Sequence, residues 1–149
     1  MKSYTDLEQS KKLAEILPLE SADMTYRPIM DIDFMSNSGF LNIPDCYPFN
    51  EFKDCNIKPL PCWSLAALMN LLPSEFTEVG KFSTTTYKID IRKYKFTDDV
   101  DIYQIAYGSI KIDVDGQSSY KDMINTGQKE DLIDAAFQIV CWLKENGKI

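Results

Sequence analysis

Apolar residues recur with a helical period in three stretches of the chain, residues 5–17, 64–72 and 131–146. In the first two they fall three and four positions apart, which places them along one side of an α-helix. Thr5 and Ser64 stand at the starts of these two, where a side-chain oxygen can accept a hydrogen bond from a free amide of the first turn. In the third stretch nearly every position is apolar, so a helix there needs cover on almost all sides. The pattern predicts three helices.

From Thr84 onward apolar and polar residues alternate, which is typical of half-buried β-strands. The parity of the apolar positions changes near Lys93 and again near Gly108, and each change predicts a β-bulge. The aspartates at 98–101 and the Asp-Gly pair at 115–116 predict the two connecting turns. The result is a three-stranded antiparallel meander.

Together these elements predict a single α+β domain over residues 1–149. We expect a three- to four-stranded antiparallel sheet packed against two or three helices, because short turns join neighbouring antiparallel strands. A chain of 149 residues is long enough to bury a substantial core, and Trp63 and Phe137 are predicted to lie in it. Residues 27–61 are rich in proline and aromatic side chains, so we expect an irregular segment that either wraps the core or contacts a partner.

The formal net charge of −7 argues against binding to nucleic-acid backbones, which depends on clustered lysine and arginine. The first residues, MKSYTDLEQSKK, lack the apolar core of a signal peptide, and no run approaches the roughly eighteen apolar residues of a membrane span. These features predict a cytoplasmic protein with no membrane association.

The four cysteines, Cys46, Cys55, Cys62 and Cys141, form no CxxC pair, and without an export signal we expect free thiols. Cys62 precedes a predicted helix, where the helix dipole can lower a thiol pKa. The chain has no histidine to act as its base, so we expect Cys62 to be a core residue. The sequence assigns no catalytic residue, no metal ligand and no cofactor.

Two carboxylate pairs offer the remaining routes to catalysis. Asp31 with Asp33, or Asp98 with Asp101, could hold a divalent cation or share acid and base roles. Neighbouring acids in an acidic protein are more often solvated turn residues. The sequence therefore favours binding over an enzyme activity, with a small-molecule-binding protein or a metal-dependent enzyme as the alternative.

Three segments carry a resemblance: SKKLAEILPLESADM (10–24), PCWSLAALMNLLP (61–73) and DLIDAAFQIVCWLKENGKI (131–149). They resemble a family of small uncharacterised proteins of gut bacteria and of the phages and mobile elements that these bacteria carry. The resemblance implies an origin of that kind and no particular activity. The order of elements is also similar to phage sandwich domains in which helices flank a small sheet.

The function that the sequence predicts is a small protein-interaction module. Tyr47, Phe49 and Phe52 are the candidate partner-binding residues, because aromatic side chains tend to dominate interface energies. A second alternative is an acidic mimic of nucleic acid, built from the aspartates near the predicted strand ends: Asp98, Asp99, Asp101, Asp113 and Asp115. We expect a monomer, with a homodimer through residues such as Trp142 as the alternative.

Overall fold

The computed structural model of the chain describes residues 2–27, 44, 59–81, 83–112, 115 and 117–149, without the side chains of Lys111 and Ile112. These residues form two compact units, Lys2–Leu71 and Leu72–Ile149.

The first unit contains a helix α1 (Leu7–Ile16), a 3-10 turn (Leu19–Ser21), strands β1 (Met24–Tyr26) and β2 (Leu60–Cys62), and a helix α2 (Leu65–Asn70). β1 and β2 pair antiparallel, with Tyr26 opposite Leu60. The two ends of the chain between these strands therefore lie close together. The sequence pattern did not predict this small sheet.

The start of α1 differs from the prediction. Asp6 is the N-cap in place of Thr5: its carboxylate accepts from the Gln9 amide at 2.9 Å, and the Gln9 side chain accepts from the Asp6 amide at 3.1 Å. Thr5 is fully buried, and its hydroxyl accepts from the Trp63 amide at 3.1 Å. The Thr5 hydroxyl thus bonds a residue that is distant in sequence, and Asp6 caps the helix instead.

The prediction for α2 is confirmed at its start. Ser64 is the N-cap, and its hydroxyl accepts from the Ala67 amide at 3.1 Å. The helix ends three residues before Pro73, at Asn70. Trp63 and Leu68 are fully buried, so the short helix is held by its packing, as its length requires.

The second unit contains strands β3 (Glu75–Val79), β4 (Thr84–Lys95), β5 (Asp101–Ile112) and β6 (Ser118–Asn125), followed by a helix α3 (Leu132–Glu145). The strands form one antiparallel sheet in the order β3-β4-β5-β6. The predicted α+β class with an antiparallel sheet is confirmed. β3 adds a fourth strand in front of the predicted meander.

One of the two predicted bulges is present. The pairing of β5 with β6 shifts between Tyr107 and Gly108, as predicted, and the extra residue, Met123, is on β6. The pairing of β4 with β5 runs without interruption past Lys93, so the bulge predicted there is wrong. The apolar positions change parity near Lys93 because Tyr94 and Phe96, which are 45% and 71% exposed, are aromatic residues on the surface.

α3 packs on one face of the sheet, against β5. On this face the Phe76 ring lies 5.0 Å from the Tyr107 ring and 6.4 Å from the Trp142 ring, between centroids. The buried residues of α3 are Ile133, Ala135, Ala136, Ile139, Val140, Cys141 and Leu143. Phe137 is only partly buried, so the prediction that its ring lies in the core is wrong.

Candidate functional site

The face of the sheet opposite α3 carries a cluster of polar and aromatic side chains. Residues paired across antiparallel strands point to the same face, and neighbours along a strand point to opposite faces. The pairs Arg92–Gln104, Gly108–Asp122 and Ile110–Tyr120 have the opposite parity to Tyr87 and Tyr107, which lie on the α3 side. We call this surface the Arg92 face; its side chains are Asp90, Arg92, Gln104, Ile110, Tyr120 and Asp122.

Arg92 is the centre of the cluster and joins three strands. Its Nη2 and Nη1 atoms donate to the two carboxylate oxygens of Asp122, at 2.9 and 3.1 Å. Its Nε donates to Asp90 at 2.6 Å, and Nη1 also donates to the Gln104 side chain at 3.2 Å. These bonds fix the plane of the guanidinium, and a bidentate pair of this kind is among the stronger side-chain contacts.

The Tyr120 ring lies over the backbone of Gly108. A Cβ atom at Gly108 would come closer than 3.0 Å to the Tyr120 ring, so the ring occupies the space that a side chain would fill. The same ring lies 5.1 Å from the Arg92 guanidinium carbon, within cation–π range. Glycine at 108 is thus required for the close approach of Tyr120.

Charge and exposure divide the Arg92 face into a fixed part and a contact part. Its hydrogen bonds to Asp122 raise the pKa of the Arg92 guanidinium above its ordinary value, so Arg92 stays charged. Burial raises the pKa of the Tyr120 hydroxyl, which stays protonated near neutral pH. Ile110 is 68% exposed and Tyr120 45% exposed, side by side on neighbouring strands. This arrangement suits recognition through an apolar pair beside a fixed guanidinium whose charge Asp90 and Asp122 neutralise.

The aspartates proposed for nucleic-acid mimicry are not gathered at one place, whereas Asp98 and Asp101, proposed as a metal-binding pair, both lie at the start of β5. The turn before β5 carries Asp98 and Asp99, and Asp115 lies in the turn after it. β5 has 12 residues, so at about 3.3 Å per residue its ends lie roughly 36 Å apart. The Asp101 carboxylate forms an ion pair with the Lys93 ammonium, at 2.7 Å between oxygen and nitrogen.

The other acids proposed from the sequence, Asp31, Asp33 and Asp113, lie outside the described residues. Among the residues that the structure describes, no group of three or more cysteine and acidic side chains is arranged to hold a metal ion.

Cys62 is a core residue, as predicted. It is fully buried, and its thiol donates to the Thr5 carbonyl at 3.5 Å. Burial raises the pKa of the Cys62 thiol, which disfavours the reactive thiolate. Cys141 is also a buried free thiol, and Cys46 and Cys55 lie outside the described residues.

A concave surface lies at the β3–β4 hairpin. It is an open groove of about 510 Å³, lined by Thr77, Glu78, Val79, Gly80, Ser83, Thr85, Tyr87 and Lys148. The Lys148 ammonium lies 2.7 Å from a Glu78 carboxylate oxygen and 5.0 Å from the centre of the Phe76 ring. The groove therefore offers hydroxyl groups and an ion pair to a small polar molecule.

The partner-binding residues predicted from the sequence, Tyr47, Phe49 and Phe52, lie outside the described residues. Trp142, the predicted dimer contact, is partly buried and contacts Phe76 within its own unit. No helix in the described part of the chain has the length and apolar character needed to cross a bilayer.

Sequence reasoning missed the Arg92 face. Lys88, Asp90 and Arg92 stand at alternate positions of one strand, a pattern that is equally typical of an ordinary solvent-exposed face. No protein-family model, curated protein or solved structure matches the chain.

Proposed function

We propose that this protein is a protein-interaction module and that the Arg92 face is its contact surface. The observation that carries the proposal is the exposed pair Ile110 and Tyr120 beside a guanidinium held by four hydrogen bonds. Tyrosine and arginine are enriched among the residues that dominate binding energies. Neighbouring apolar side chains help to exclude water from such contacts.

The rigidity of the cluster favours binding. A partner that orders flexible side chains loses part of its binding free energy to their entropy. Arg92 is already fixed by side chains from two neighbouring strands, and the Tyr120 ring is supported by Gly108. Contact with these groups therefore orders little that is not ordered beforehand.

The segment with Tyr47, Phe49 and Phe52 is proposed as a second contact surface. Its supporting observation is the pairing of Tyr26 with Leu60, which brings the two ends of the segment together. Holding the two ends of a segment together lowers its conformational entropy, so the segment loses less entropy when it binds a partner. The cytoplasmic location and the phage or mobile-element origin remain proposals that rest on the sequence.

The first test is affinity capture from the native host, followed by binding measurements with the purified partner. We expect Ile110→Ser/Tyr120→Ser to raise the Kd at least about tenfold, since central apolar contacts of an interface commonly contribute 2 kcal/mol or more. The matched control is Phe96→Ser, which removes an exposed aromatic group from the turn between β4 and β5, away from Ile110 and Tyr120.

A thermal melt of each variant establishes that it is folded before binding is compared. A folded face variant that keeps every partner of the wild type would overturn the proposal for the Arg92 face. The triple variant Tyr47→Ala/Phe49→Ala/Phe52→Ala measures the contribution of the second surface in the same assay.

The groove at Lys148 favours a second candidate function, the binding of a small polar molecule. A ligand present at a hundredfold its Kd stabilises the native state by about 2.7 kcal/mol. We expect any ligand of the groove to raise the melting temperature of the wild type and of Lys144→Ala, and to have little effect on Lys148→Ala. A ligand that stabilises all three proteins equally binds elsewhere and contradicts this candidate.

A further inference from the structure

β6 is an edge strand that is exposed on both faces over half its length. It pairs with β5 and with no other described strand. Its residues Ser118–Lys121 are exposed at every position, whichever face they occupy. An edge of this kind presents backbone amide and carbonyl groups to any added strand.

The exposed apolar pair of the Arg92 face runs out to this edge. Ile110 on β5 lies directly opposite Tyr120 on β6, and both are exposed. We infer that two copies of the chain join their sheets through antiparallel β6 strands, with a two-fold axis at Tyr120. The two Tyr120 positions are then directly opposite each other, and a row of two isoleucines and two tyrosines crosses the junction. The inference rests on the proposed function, since it names the partner of the Arg92 face.

Side-chain alternation and charge restrict the position of the axis, and the exposed pair Ile110 and Tyr120 then favours Tyr120. Side chains of residues paired across the junction point to the same face only if the two-fold axis passes between the two copies of one residue. Like charges directly opposite each other are unfavourable. An axis at Lys121 places two ammonium groups opposite each other. An axis at Tyr120 places Ser119 opposite Lys121 of the second copy and Ser118 opposite Asp122 of the second copy, so no like charges meet.

The charges of β6 permit contact between two copies of an acidic chain. Each chain carries a net charge of −7, so two copies repel unless the contact itself is locally neutral. β6 contributes one lysine and one aspartate, Lys121 and Asp122.

Sedimentation analysis over a wide range of protein concentration tests the association. We expect the species to change from 17.1 kDa to twice that mass as concentration rises. Added salt should strengthen the dimer, because it screens the repulsion between two acidic chains. Ile110→Lys should raise the dimer Kd at least tenfold, whereas Phe96→Lys should leave it unchanged.

Cysteine cross-linking tests the axis in the Cys46→Ser/Cys55→Ser background, where the remaining described thiols, Cys62 and Cys141, are buried. The two copies of the residue on the axis have Cα atoms about 4.5–5.5 Å apart, a distance that a disulfide can span. Tyr120→Cys should therefore form a covalent dimer on mild oxidation. Ser118→Cys should not, because the two Ser118 positions are then roughly 13 Å apart along the strands.

The possible failures are distinguishable. A chain that stays at 17.1 kDa at every concentration, and whose Tyr120→Cys variant does not cross-link, overturns the dimer. If the same chain still binds a host protein through the Arg92 face, the proposed function stands alone. Faster cross-linking of Ser118→Cys than of Tyr120→Cys overturns the axis, and an unchanged Kd for Ile110→Lys overturns the apolar row.

Discussion

Trp63→Ala should lower the free energy of unfolding by about 3–5 kcal/mol, the usual cost of deleting a buried aromatic side chain. The Trp63 side chain is fully buried, and its indole nitrogen donates to the Ser21 hydroxyl at 2.9 Å. The variant loses the transfer free energy of the ring and leaves a cavity at the start of α2. Urea unfolding followed by far-ultraviolet circular dichroism measures the loss.

Trp63→Phe is the matched control for this variant. Phenylalanine keeps most of the ring volume and removes the indole N–H, so we expect a loss of about 1–2 kcal/mol. The Ser21 hydroxyl keeps its bond to the Pro18 carbonyl at 2.6 Å, which limits the polar cost. A loss under about 1 kcal/mol for Trp63→Ala would show that the ring contributes little packing.

The features that the sequence predicts well depend on neighbouring residues. Ser64 caps α2 because its hydroxyl and the Ala67 amide are three positions apart. The register shift beside Gly108 is predicted at the right place by the change in apolar parity along β5, although the extra residue, Met123, lies on β6. Both signals are contained within a few residues and need no knowledge of the rest of the fold.

The features that the sequence does not predict depend on distant residues. Thr5 has the residue type and spacing of a helix cap, but its hydroxyl bonds the Trp63 amide, 58 positions away. The pairing of β1 with β2 joins Tyr26 to Leu60 across a long intervening segment. β3 was missed because five residues with two apolar side chains give a weak alternation.

The Arg92 face combines both kinds of information. Alternation places Arg92 and Asp90 on one side of β4, and this much follows from the local pattern. The bonds from Arg92 to Gln104 and Asp122 span 12 and 30 positions. They depend on the register of two strand pairs, including the shift at Gly108. An isolated arginine on the polar side of a strand therefore gives no sequence signal for a fixed site.

Thr5→Val should cost about 2–3 kcal/mol, although the two side chains have nearly the same shape, because buried polar groups lose their partners. The Thr5 hydroxyl accepts from the Trp63 amide at 3.1 Å and is bonded to the Ser10 hydroxyl at 2.7 Å. Both Thr5 and Ser10 are fully buried, so water does not readily replace these bonds. Urea unfolding measures the loss.

Thr5→Ser keeps the hydroxyl and removes one methyl group, so its cost should be only about 1 kcal/mol. The double variant Thr5→Val/Ser10→Ala should be less unstable than the two single losses combined, because removing both partners of a buried hydrogen bond leaves fewer unpaired groups. A double-mutant cycle measures this coupling. If Thr5→Val costs no more than Thr5→Ser, the hydroxyl contributes nothing to stability and the distant contact with Trp63 does not explain why Asp6 replaces Thr5 as the cap.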